Sequence, residues 1–467
     1  MNDTSTAATG RVRFAGSGRR LPAPSAPRRW WRDVAGALAL FSLLVVTALW
    51  TANGGIRNLQ GLGEPATTLG RLTGLWASDL LLVQVLLMAR IPWVERAYGQ
   101  DLLARRHRLA GFWSFWLMLA HVVLITVGYA GSGTGGLLGT GWSLVTTYPG
   151  MLLATAGTGL LILVVILSVR AARRRLRYES WHLLHLYAYL GVGLALPHQI
   201  WTGADFVGSP LSQAYWWGLY AATLGAVLAF RIALPLWRSA YHRLRVVQVV
   251  AEAPGVVSVY LSGHRLDRLP VRAGQFFLWR FLDGPGWTRA NPYTLSAGPA
   301  PDLLRITVKD LGDGSRRVRS LRPGTRVLIE GPYGALTPAK WSGRPPLLVA
   351  AGVGITTMRA LLDEFGTADA VLLYRIRNRA DAVFRAELDD LARRHGVRVI
   401  YLEGGRPRHG SWLPAGWHPA ALHQLVPDVA GREAYICGPP PWMAAVRTDL
   451  HAAGVPDDLI HSEEFAW

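Results

Sequence analysis

The chain of 467 residues has a single cysteine, Cys437, and this scarcity excludes several kinds of redox site. One cysteine forms no intramolecular disulfide and cannot supply a four-cysteine iron–sulfur cluster. The Cys-x-x-Cys-His pattern that attaches haem covalently is excluded in the same way. A haem in this protein would therefore be held by side-chain ligands alone.

Acidic residues are also few, because 30 Asp and Glu stand against 49 Lys and Arg, which gives a formal net charge of +19. The arginines cluster near the N-terminus and in short segments between long apolar runs, as membrane flanks do. We therefore predict a lipid bilayer as a partner of this chain, and no nucleic acid. Residues 1–32 mix Gly, Pro, Ser and Arg without periodicity and are predicted to be a disordered basic tail.

Six apolar stretches follow the tail, and each approaches the roughly 20 residues that cross a hydrocarbon layer of about 30 Å. They are 34–50, 72–89, 109–130, 151–169, 181–201 and 214–230. Arg28 and Arg29 before the first stretch also fit an export signal, but the stretch is long and more spans follow, so we interpret it as a transmembrane helix. Asp79 is predicted to face the bundle interior, either as a hydrogen-bonding group or beside a functional cavity.

The orientation of the stretches follows from their arginines, because short loops rich in Lys and Arg stay on the cytoplasmic side. Such arginines lie between the second and third stretches and between the fourth and fifth: Arg96, Arg105, Arg106, Arg108, Arg170, Arg173, Arg174, Arg175 and Arg177. The loop 131–150 is glycine-rich and uncharged. We therefore expect a multi-pass protein of the cell membrane with both termini in the cytoplasm.

The second half of the chain has a different pattern, with short β-type runs such as 256–261 and 303–308 between Gly and Pro turns. Beyond residue 344, an apolar strand, a glycine turn and a helix precede the strand 370–376, which indicates a parallel α/β sheet. We predict a multidomain membrane protein with a six-helix all-α transmembrane bundle, an antiparallel β-barrel and an α/β nucleotide-binding domain. The predicted boundaries are 33–240, 241–340 and 341–467.

Four histidines lie at two matched depths of the third and fifth stretches. His107 and His121 are fourteen residues apart, which is about 40° around a helix and about 21 Å along it, so they share a face. His185 and His198 are thirteen residues or about 19.5 Å apart, which matches better than a pair formed with His182. We predict that His107 pairs with His185 near the inner surface and that His121 pairs with His198 near the outer one.

The fifth stretch must deviate from a straight helix for this pairing, because thirteen residues rotate by about 220°. Pro197, with Gly191 and Gly193, gives the means for a kink or bulge, so we predict a local distortion there. Paired imidazoles bind haem iron axially and suit it to electron transfer, so the sequence predicts two b-type haems, each held by two histidines. His182 is interpreted as a structural or supporting residue.

The second half also carries five short motifs. They are NPYTLS (291–296), VKDLGDGSRRV (308–318), EGPYG (330–334), AGVGITT (351–357) and YICGPPPWM (435–443). In this order they resemble the ferric reductase and NADPH oxidase family, whose cytoplasmic half looks like ferredoxin-NADP reductase. The resemblance covers about 34–467 and implies FAD, NAD(P)H and haem as cofactors.

The resemblance implies a set of FAD-binding residues around the first two motifs. Tyr293 would pack along the flavin, and Thr294 would hydrogen-bond near its reactive edge. Asn291 stands where the family usually has Arg or His, and Arg289 is the candidate replacement. The full implied set is Arg289, Asn291, Pro292, Tyr293, Thr294, Ser296, Gly312, Gly314, Ser315 and Trp467. NPYTLS by itself is equally compatible with an ordinary edge strand.

The turn AGVGITT follows a buried strand and opens a helix, so its glycines let the backbone approach a phosphate. Thr357 stands where the family often has Pro. The implied NAD(P)-binding set is Gly352, Gly354, Ile355, Thr356, Arg375, Arg377, Cys437, Gly438 and Pro439. Arg375 and Arg377 favour NADPH over NADH, because guanidinium groups bind the 2'-phosphate, and a solvated basic edge is the alternative.

Two residues are implied to lie at the reacting centre: Cys437 beside the nicotinamide and Trp467 over the flavin. The alternative role for Cys437 is packing. The predicted function is electron transfer from cytoplasmic NAD(P)H through FAD and two haems to an external acceptor, either dioxygen, giving superoxide, or ferric iron and its chelates.

Three alternatives stay open. The chain could deliver electrons to a separate membrane or periplasmic redox protein, line a proton or ion pathway with His and Asp79, or be a flavin reductase merely anchored in the membrane. No sequence feature indicates the oligomeric state.

Overall fold

The structure is a computed structural model that describes residues 30–60, 65–131, 136–169, 178–366, 369–405, 410–418 and 421–463. The chain divides into two units. One, here called the helical unit, extends to Trp237, and the other, the mixed unit, comprises Arg238–Pro332 and Leu336–Ser462. The predicted tail lies outside the described residues except for residues 30–32, which belong to the first helix rather than to the tail.

The helical unit is built from helices joined by short connections. They are α1 (Trp30–Ala52), α2 (Gly55–Gln60), α3 (Pro65–Leu87), α4 (Pro92–Tyr98), α5 (Gln100–Gly131), α6 (Gly136–Thr147), α7 (Met151–Ser168), α8 (Tyr178–Thr202), α9 (Ala204–Val207) and α10 (Pro210–Val227). A π-helical segment, Leu228–Ala233, connects α10 to α11 (Leu234–His242).

Five described helices are long and apolar enough to cross a membrane. They are Asp33–Ala52, Pro65–Leu87, Gln100–Gly131, Met151–Ser168 and Pro210–His242. Each coincides with one of the predicted stretches. Helix α8 contains the remaining stretch but is not among these five, so the number of six spans stays a prediction.

Glycines allow the helices of this unit to approach closely. A Cβ at Gly70 of α3 would lie 3.0 Å from the Ile125 side chain of α5, and one at Gly191 of α8 would lie 3.0 Å from the Gly157 carbonyl oxygen of α7. Such backbone-to-backbone approach is the usual packing solution for helices in lipid, where small residues form the interfaces. The sequence places these glycines on the two helix pairs that carry the four histidines.

Asp79 is fully buried on α3, and two hydroxyls donate hydrogen bonds to its Oδ1 atom. Ser42 Oγ of α1 lies 2.5 Å away, and Tyr215 OH of α10 lies 3.2 Å away. A buried carboxyl group is costly in a bilayer unless it has such partners. The contacts therefore agree with the hydrogen-bonding role considered for Asp79, and they tie three helices together.

The mixed unit begins with two three-stranded sheets. Their strands are β1 (Arg245–Ala253), β2 (Val256–Ser262), β3 (Phe276–Phe281), β4 (Asn291–Thr294), β5 (Leu303–Lys309) and β6 (Val327–Tyr333), with a short helix α12 (Asp313–Val318) after β5. The sheet orders are β1-β2-β5 and β4-β3-β6, and single bridges join Arg245 to Arg326 and Leu295 to Ile306. Closure into one barrel stays a prediction.

The rest of the mixed unit is an α/β fold. Its elements are β7 (Pro346–Ala351), α13 (Ile355–Phe365), β8 (Val371–Ile376), α14 (Arg385–His395), β9 (Arg398–Glu403), α15 (Ala421–Leu425), β10 (Glu433–Cys437), α16 (Pro440–Ala452) and β11 (Ile460–Ser462). The strands form one parallel sheet in the order β11-β10-β7-β8-β9. The chain leaves β7 in one direction for β8 and β9 and returns on its other side for β10. Ligands of such sheets bind at the carboxyl ends of the strands where this reversal occurs, here between β7 and β10.

At the opposite end of β10, the fully buried carboxylate of Glu433 accepts hydrogen bonds from three residues. Its Oε1 atom lies 3.0 Å from Tyr435 OH and 2.7 Å from His461 Nε2. Its Oε2 atom accepts from the Ser342 N–H at 2.8 Å and the Ser342 hydroxyl at 2.5 Å. Burial alone would raise the pKa of Glu433, but the hydrogen bonds from His461, Ser342 and Tyr435 outweigh it and lower the pKa.

We predict that Glu433→Gln lowers the unfolding free energy by about 1–3 kcal/mol, because an amide cannot accept from all of these donors. Because the folded-state pKa lies below the ordinary value of 4.5, the contribution is present above pH 4.5 and is lost as the pH falls further. Thermal unfolding of the full chain across this pH range measures both effects, and the variant should be less acid-sensitive. Glu403→Gln is the control, because Glu403 is 44% exposed and pairs with the exposed Arg379 at 3.4 Å. Equal effects of the two changes would contradict the prediction.

Candidate functional site

The structure brings His107 of α5 and His185 of α8 together. Their ring centroids are 6.1 Å apart and their planes are inclined by 66°. Trp181, one turn before His185 on α8, stacks on the His185 ring with the centroids 5.1 Å apart. These two rings are the pair that the sequence predicts for the inner level.

The second pair, His121 and His198, is also close enough for the two rings to interact electrostatically. Gly74 on α3 makes room for His121, since a Cβ there would lie 2.5 Å from the ring Nδ1 atom. Gly150, with φ at +80°, precedes α7, and a Cβ there would lie 2.8 Å from the His198 backbone nitrogen. These glycines were not identified from the sequence, because a glycine in an apolar helix carries no distinguishing signal.

All four histidines have a hydrogen-bond partner at Nδ1. His107 faces the Gln84 carbonyl oxygen at 3.1 Å, His121 faces the Gly70 carbonyl oxygen at 2.7 Å, and His198 faces the Ala195 carbonyl oxygen. A carbonyl oxygen only accepts hydrogen bonds, so in these three rings Nδ1 carries the proton.

His185 has the same tautomer for a different reason. Its Nδ1 lies 3.2 Å from Ser168 Oγ, and that hydroxyl donates its one proton to the Val164 carbonyl oxygen at 2.7 Å. Ser168 therefore accepts from Nδ1–H. In each of the four neutral rings the unprotonated nitrogen is Nε2, which has no hydrogen-bond partner among the described residues. A bare imidazole nitrogen is what a metal ion requires.

Pro197 lies inside α8, one residue before His198. Its ring removes the backbone N–H that would bond to the carbonyl of Gly193. The distortion that the sequence predicts at this point stays a prediction, although His185 lies beside His107 and His198 is near His121, both on α5. In the described part of the chain, no group of three or more His, Cys, Asp and Glu could hold a metal ion.

The NPYTLS motif forms β4, which pairs antiparallel with β3. The register sets Tyr293 opposite Phe277 and Thr294 opposite Phe276, and Trp279 Nε1 donates to the Tyr293 carbonyl oxygen at 2.9 Å. Burial raises the pKa of Tyr293, so the phenol stays protonated. Pro292 at the edge of this sheet has no N–H to lose, which suits its position opposite Leu278.

The glycine turn after β5 lies beside the start of β4. A Cβ at Gly314 would lie 3.2 Å from Asn291 Oδ1, so the structure brings the first two motifs together. Ser315 Oγ accepts from the Gly312 N–H at 3.1 Å and donates to the Gly312 carbonyl oxygen at 2.9 Å. The hydroxyl therefore shapes the turn and uses one N–H that the sequence assigns to a phosphate. Arg289 is exposed.

The glycine turn AGVGITT follows β7 and opens α13, as predicted for a nucleotide-binding turn. Gly352 has φ at +57°, and a Cβ at Gly354 would overlap the carbonyl oxygen of Cys437 and lie 3.2 Å from its Sγ atom. Ile355 and Thr356 are the first residues of α13, and both are buried. The structure therefore joins the turn to the carboxyl end of β10 at the reversal point of the sheet.

Cys437 is 2% exposed, and its thiol lies 3.7 Å from Thr357 Oγ1. Gly438 follows it, and a Cβ there would lie 2.7 Å from the Trp442 ring, so only glycine fits. Pro439 directly precedes α16 as its N-cap residue and is extended. The predicted positions at 437–439 thus form one compact turn. Trp467, the other residue predicted at the reacting centre, lies outside the described residues.

The two arginines predicted to bind a 2'-phosphate differ in their surroundings. The Arg375 guanidinium donates to the carbonyl oxygens of Gly404 at 2.8 Å and Gly405 at 2.7 Å, and also to that of Ile376. Arg377 is exposed and has no hydrogen bond or ion pair with the described residues. Arg375 therefore holds a loop, while Arg377 has its charge available to a ligand.

Further residues support the site and were not identified from the sequence. Tyr374 OH lies 3.4 Å from the Gly352 carbonyl oxygen, and burial raises the pKa of this phenol. Arg305 donates to the carbonyl oxygen of Ser296 at 2.5 Å, the last residue of NPYTLS. Thr307 Oγ1 donates to Ser296 Oγ at 2.7 Å. The available signal was the polarity of Arg305 and Thr307 within the otherwise apolar strand LLRITV.

Comparison with known proteins matches both halves of the chain. The family described as "Ferric reductase like transmembrane component" matches residues 73–196, and the "Oxidoreductase NAD-binding domain" matches residues 348–448. The reductase subunit Stc4 of stachydrine N-demethylase from Rhizobium meliloti is 30% identical over 50% of this chain and 68% of its own length. The chain is therefore similar to ferric reductases over residues 73–196 and to oxidoreductase reductase subunits in its second half.

Other relatives match the reductase half of this chain. The ferredoxin reductase component of 3-ketosteroid-9-alpha-monooxygenase from Mycolicibacterium smegmatis is 35% identical over 47% of this chain and 63% of its own length. Among solved structures, the flavohaem-like FAD/NAD-binding domain of nitric oxide dioxygenase from Vibrio cholerae O1 biovar El Tor is 22% identical. It covers 48% of this chain and 98% of that chain, with a TM-score of 0.38. The chain spans less than two thirds of the length of several curated relatives that it matches.

The resemblance stated from the motifs is confirmed, and so is the prediction of an oxidoreductase. The chain combines a ferric reductase-like helical region with an oxidoreductase NAD-binding domain. The roles of individual residues stay predictions.

We predict that Gly354→Ala weakens the binding of NADP+ at least tenfold, because the added methyl group overlaps the Cys437 carbonyl oxygen and forces the turn away from β10. Calorimetric titration of the full chain measures the affinity, and FAD content should stay unchanged. Gly431→Ala is the matched control, because a Cβ at Gly431 has no atom within 4 Å. Wild-type affinity in Gly354→Ala would show that this turn is not at the nucleotide.

Proposed function

We propose that this protein transfers electrons from cytoplasmic NAD(P)H through FAD and two b-type haems, each held by two histidines, to an acceptor outside the cytoplasm. The observation that carries this proposal is the state of the four histidines. Each has its Nδ1 proton committed to an oxygen acceptor and its Nε2 atom without a hydrogen-bond partner among the described residues.

The arrangement of the two pairs fits two haems. Metal–imidazole nitrogen bonds are about 2 Å long, so the 6.1 Å between the ring centroids of His107 and His185 has room for one metal ion between the rings. His121 lies fourteen residues further along the same helix, about 21 Å at the usual rise. Helix α5 would therefore supply one ligand to each haem and α8 the other.

FAD accepts a hydride and passes electrons on singly, and haem iron carries one electron at a time, so the redox chemistry belongs to the cofactors. The chain's own residues would bind and orient them. Tyr293 and Thr294 on β4 would lie along the flavin, supported by Trp279 and Arg305. The buried phenol of Tyr293 supplies an apolar face with a neutral polar tip.

The nucleotide would bind across the carboxyl ends of β7 and β10. Its pyrophosphate would lie at the start of α13, where Gly352 and Gly354 expose the backbone and the helix dipole favours an anion. Its nicotinamide would lie near Cys437 and Gly438. Cys437 is almost fully buried and has a hydroxyl partner, Thr357, so we assign it a packing and shaping role rather than that of a nucleophile.

NADPH is the proposed donor and NADH the alternative. The 2'-phosphate would bind Arg377, which is exposed beyond the end of β8. Arg375 would act indirectly, because its guanidinium already holds the carbonyl oxygens of Gly404 and Gly405.

The acceptor would react near the outer haem, either as dioxygen or as a ferric chelate. Arginines on the cytoplasmic flanks, including Arg105, Arg106 and Arg108 at the start of α5, support this orientation. A second candidate is electron delivery to a separate redox protein, which the similarity to a ferredoxin reductase component of a monooxygenase supports. Oxygen consumption, ferrous iron formation and reduction of an added redox protein, measured separately with NADPH, distinguish these acceptors.

The haem prediction concerns four variants of the full-length protein. His107→Ala, His121→Ala, His185→Ala and His198→Ala should each lower the haem content from two per chain to about one, because one of the two histidines that would hold that haem is lost. The pyridine haemochrome spectrum gives the ratio of haem to protein, and the Soret band reports the remaining site.

His182→Ala is the matched control on α8, since His182 is assigned no ligand role, and it should keep both haems. Retention of two haems in both His121→Ala and His198→Ala would refute the outer pair. The absence of a Soret band in purified wild-type protein after reconstitution with haem would refute the electron path as a whole and favour an anchored flavin reductase.

The nucleotide prediction concerns Arg377. Its replacement by alanine should raise the KM for NADPH about tenfold and leave that for NADH within about twofold, because a charge-assisted hydrogen bond to phosphate contributes roughly 1.5–3 kcal/mol. Steady-state kinetics with both nucleotides measure the ratio. Arg393→Ala is the control, as Arg393 is an exposed arginine paired with Asp390 at 3.4 Å. A similar rise for both nucleotides would count against phosphate binding by Arg377.

A further inference from the structure

Glu387, in the first turn of α14, accepts hydrogen bonds from two arginines that lie in different parts of the mixed unit. Arg305 of β5 reaches it with Nη1 2.9 Å from Oε2 and Nη2 3.3 Å from Oε1. Arg359 of α13 reaches it with Nε 2.7 Å from Oε1. The side chains of Arg305 and Arg359 are 3% and 7% exposed, so water screens these contacts little.

On one side, the bridge reaches the flavin motif. The Arg305 guanidinium that binds Glu387 also donates to the carbonyl oxygen of Ser296, at the end of NPYTLS. It lies over the ring of Phe384, the residue before α14, with 4.6 Å to the ring centroid. Phe384 has φ at +60°, an uncommon conformation for a bulky residue that the surrounding contacts must hold in place.

On the other side, the bridge reaches α13, the helix that the nucleotide turn opens. Arg359 lies five residues after Gly354 on the helix that the turn opens, and it also pairs with Asp363 at 2.6 Å. Asp363 Oδ2 accepts from the Gly298 N–H at 2.8 Å, two residues beyond the flavin motif. Glu364, the next residue of α13, accepts from the Ala273 N–H at 2.6 Å. The middle and the C-terminal end of α13 are thus tied through charged groups to segments beside the flavin motif.

We propose that Glu387 is a positioning residue for hydride transfer, which through Arg305 and Arg359 fixes the nucleotide turn relative to the flavin strand. This inference rests on the proposed function of the mixed unit. Glu387 touches neither the flavin motif nor the nucleotide turn itself. It acts through the two arginines. Arg305 contacts the end of the flavin motif, and Arg359 lies on the helix that the nucleotide turn opens.

The electrostatics agree with a permanent bridge. Burial alone would raise the pKa of Glu387, but the charges of Arg359 and Arg305 outweigh it and lower the pKa. The carboxylate therefore stays charged throughout the neutral range. Removing this charge would leave two buried guanidinium groups facing each other without their shared partner, so the segments they hold would move apart.

The consequence for catalysis is a loss of alignment rather than of binding. Nicotinamide and flavin react only when the donor and acceptor atoms are close and well oriented, and a misplacement of about 1 Å can cost about 100-fold in rate. The affinity for the nucleotide depends mainly on the phosphate contacts of the turn, which the bridge does not form. A positioning role therefore predicts separate effects on rate and affinity.

The test uses the full-length protein and Glu387→Gln. The rate of flavin bleaching at saturating NADPH, measured by anaerobic stopped flow, should fall at least tenfold. The Kd for NADP+ should stay within about threefold of the wild-type value, and the FAD content should not change. Asp390→Asn is the matched control on the same helix, because Asp390 is 39% exposed and pairs with the exposed Arg394 at 3.0 Å. It should keep the wild-type bleaching rate within twofold.

Glu387→Asp keeps the charge but shortens the side chain, so it should bleach at an intermediate rate, and it carries the test if the glutamine variant does not fold. Wild-type bleaching rates in Glu387→Gln, or in Glu387→Asp in that case, would overturn the inference. A parallel loss of FAD and nucleotide affinity would also overturn it, since that indicates general loosening. Wild-type protein that NADPH does not bleach would refute the proposed function instead.

Discussion

A neutral imidazole has one N–H proton. In the helical unit, hydrogen bonds fix this proton on the same ring nitrogen in all four candidate ligands. The carbonyl oxygens of Gln84, Gly70 and Ala195 and the hydroxyl of Ser168 each accept from Nδ1. The opposite ring nitrogen is then the one that can bind a metal. Three of these contacts need close helix packing, because α3 must approach α5 and α7 must approach α8, whereas the Ala195 carbonyl lies on the same helix as His198. The glycines at 70, 74, 157 and 191 permit that approach.

In the mixed unit, charged side chains rather than backbone carbonyls make the contacts that position the site. Its two parts carry the flavin motif and the nucleotide turn, and neither the strand β4 nor the turn after β7 can set the distance to the other. The buried Arg305 crosses from the part with the flavin motif to Glu387 in the other part, where the buried Arg359 binds the same carboxylate. A hydrophobic interface would hold the parts together equally well, but charged hydrogen bonds have directions and so restrict sliding as well as separation.

The sequence predicted the class of protein well, because long apolar stretches, flanking arginines and ordered motifs are strong signals. It predicted the pairing of His107 with His185 from spacing alone, and the structure brings these rings together. It did not reveal which carbonyl each ring would face, since a backbone acceptor has no side-chain signature. The glycine-rich turn was predicted to expose its N–H groups, but Ser315 occupies one of them. Arg375 was assigned to a phosphate, yet its guanidinium holds a loop whose position depends on tertiary structure.

Three of the four histidines are anchored to the main chain rather than to side chains. The backbone of a packed helix has no rotamers to change, so such an acceptor stays in place when the charge nearby changes. An electron that arrived between these rings would find dipoles already oriented, and little nuclear rearrangement would accompany its passage. His185, whose acceptor is the Ser168 hydroxyl, is the one ring whose surroundings can still adjust.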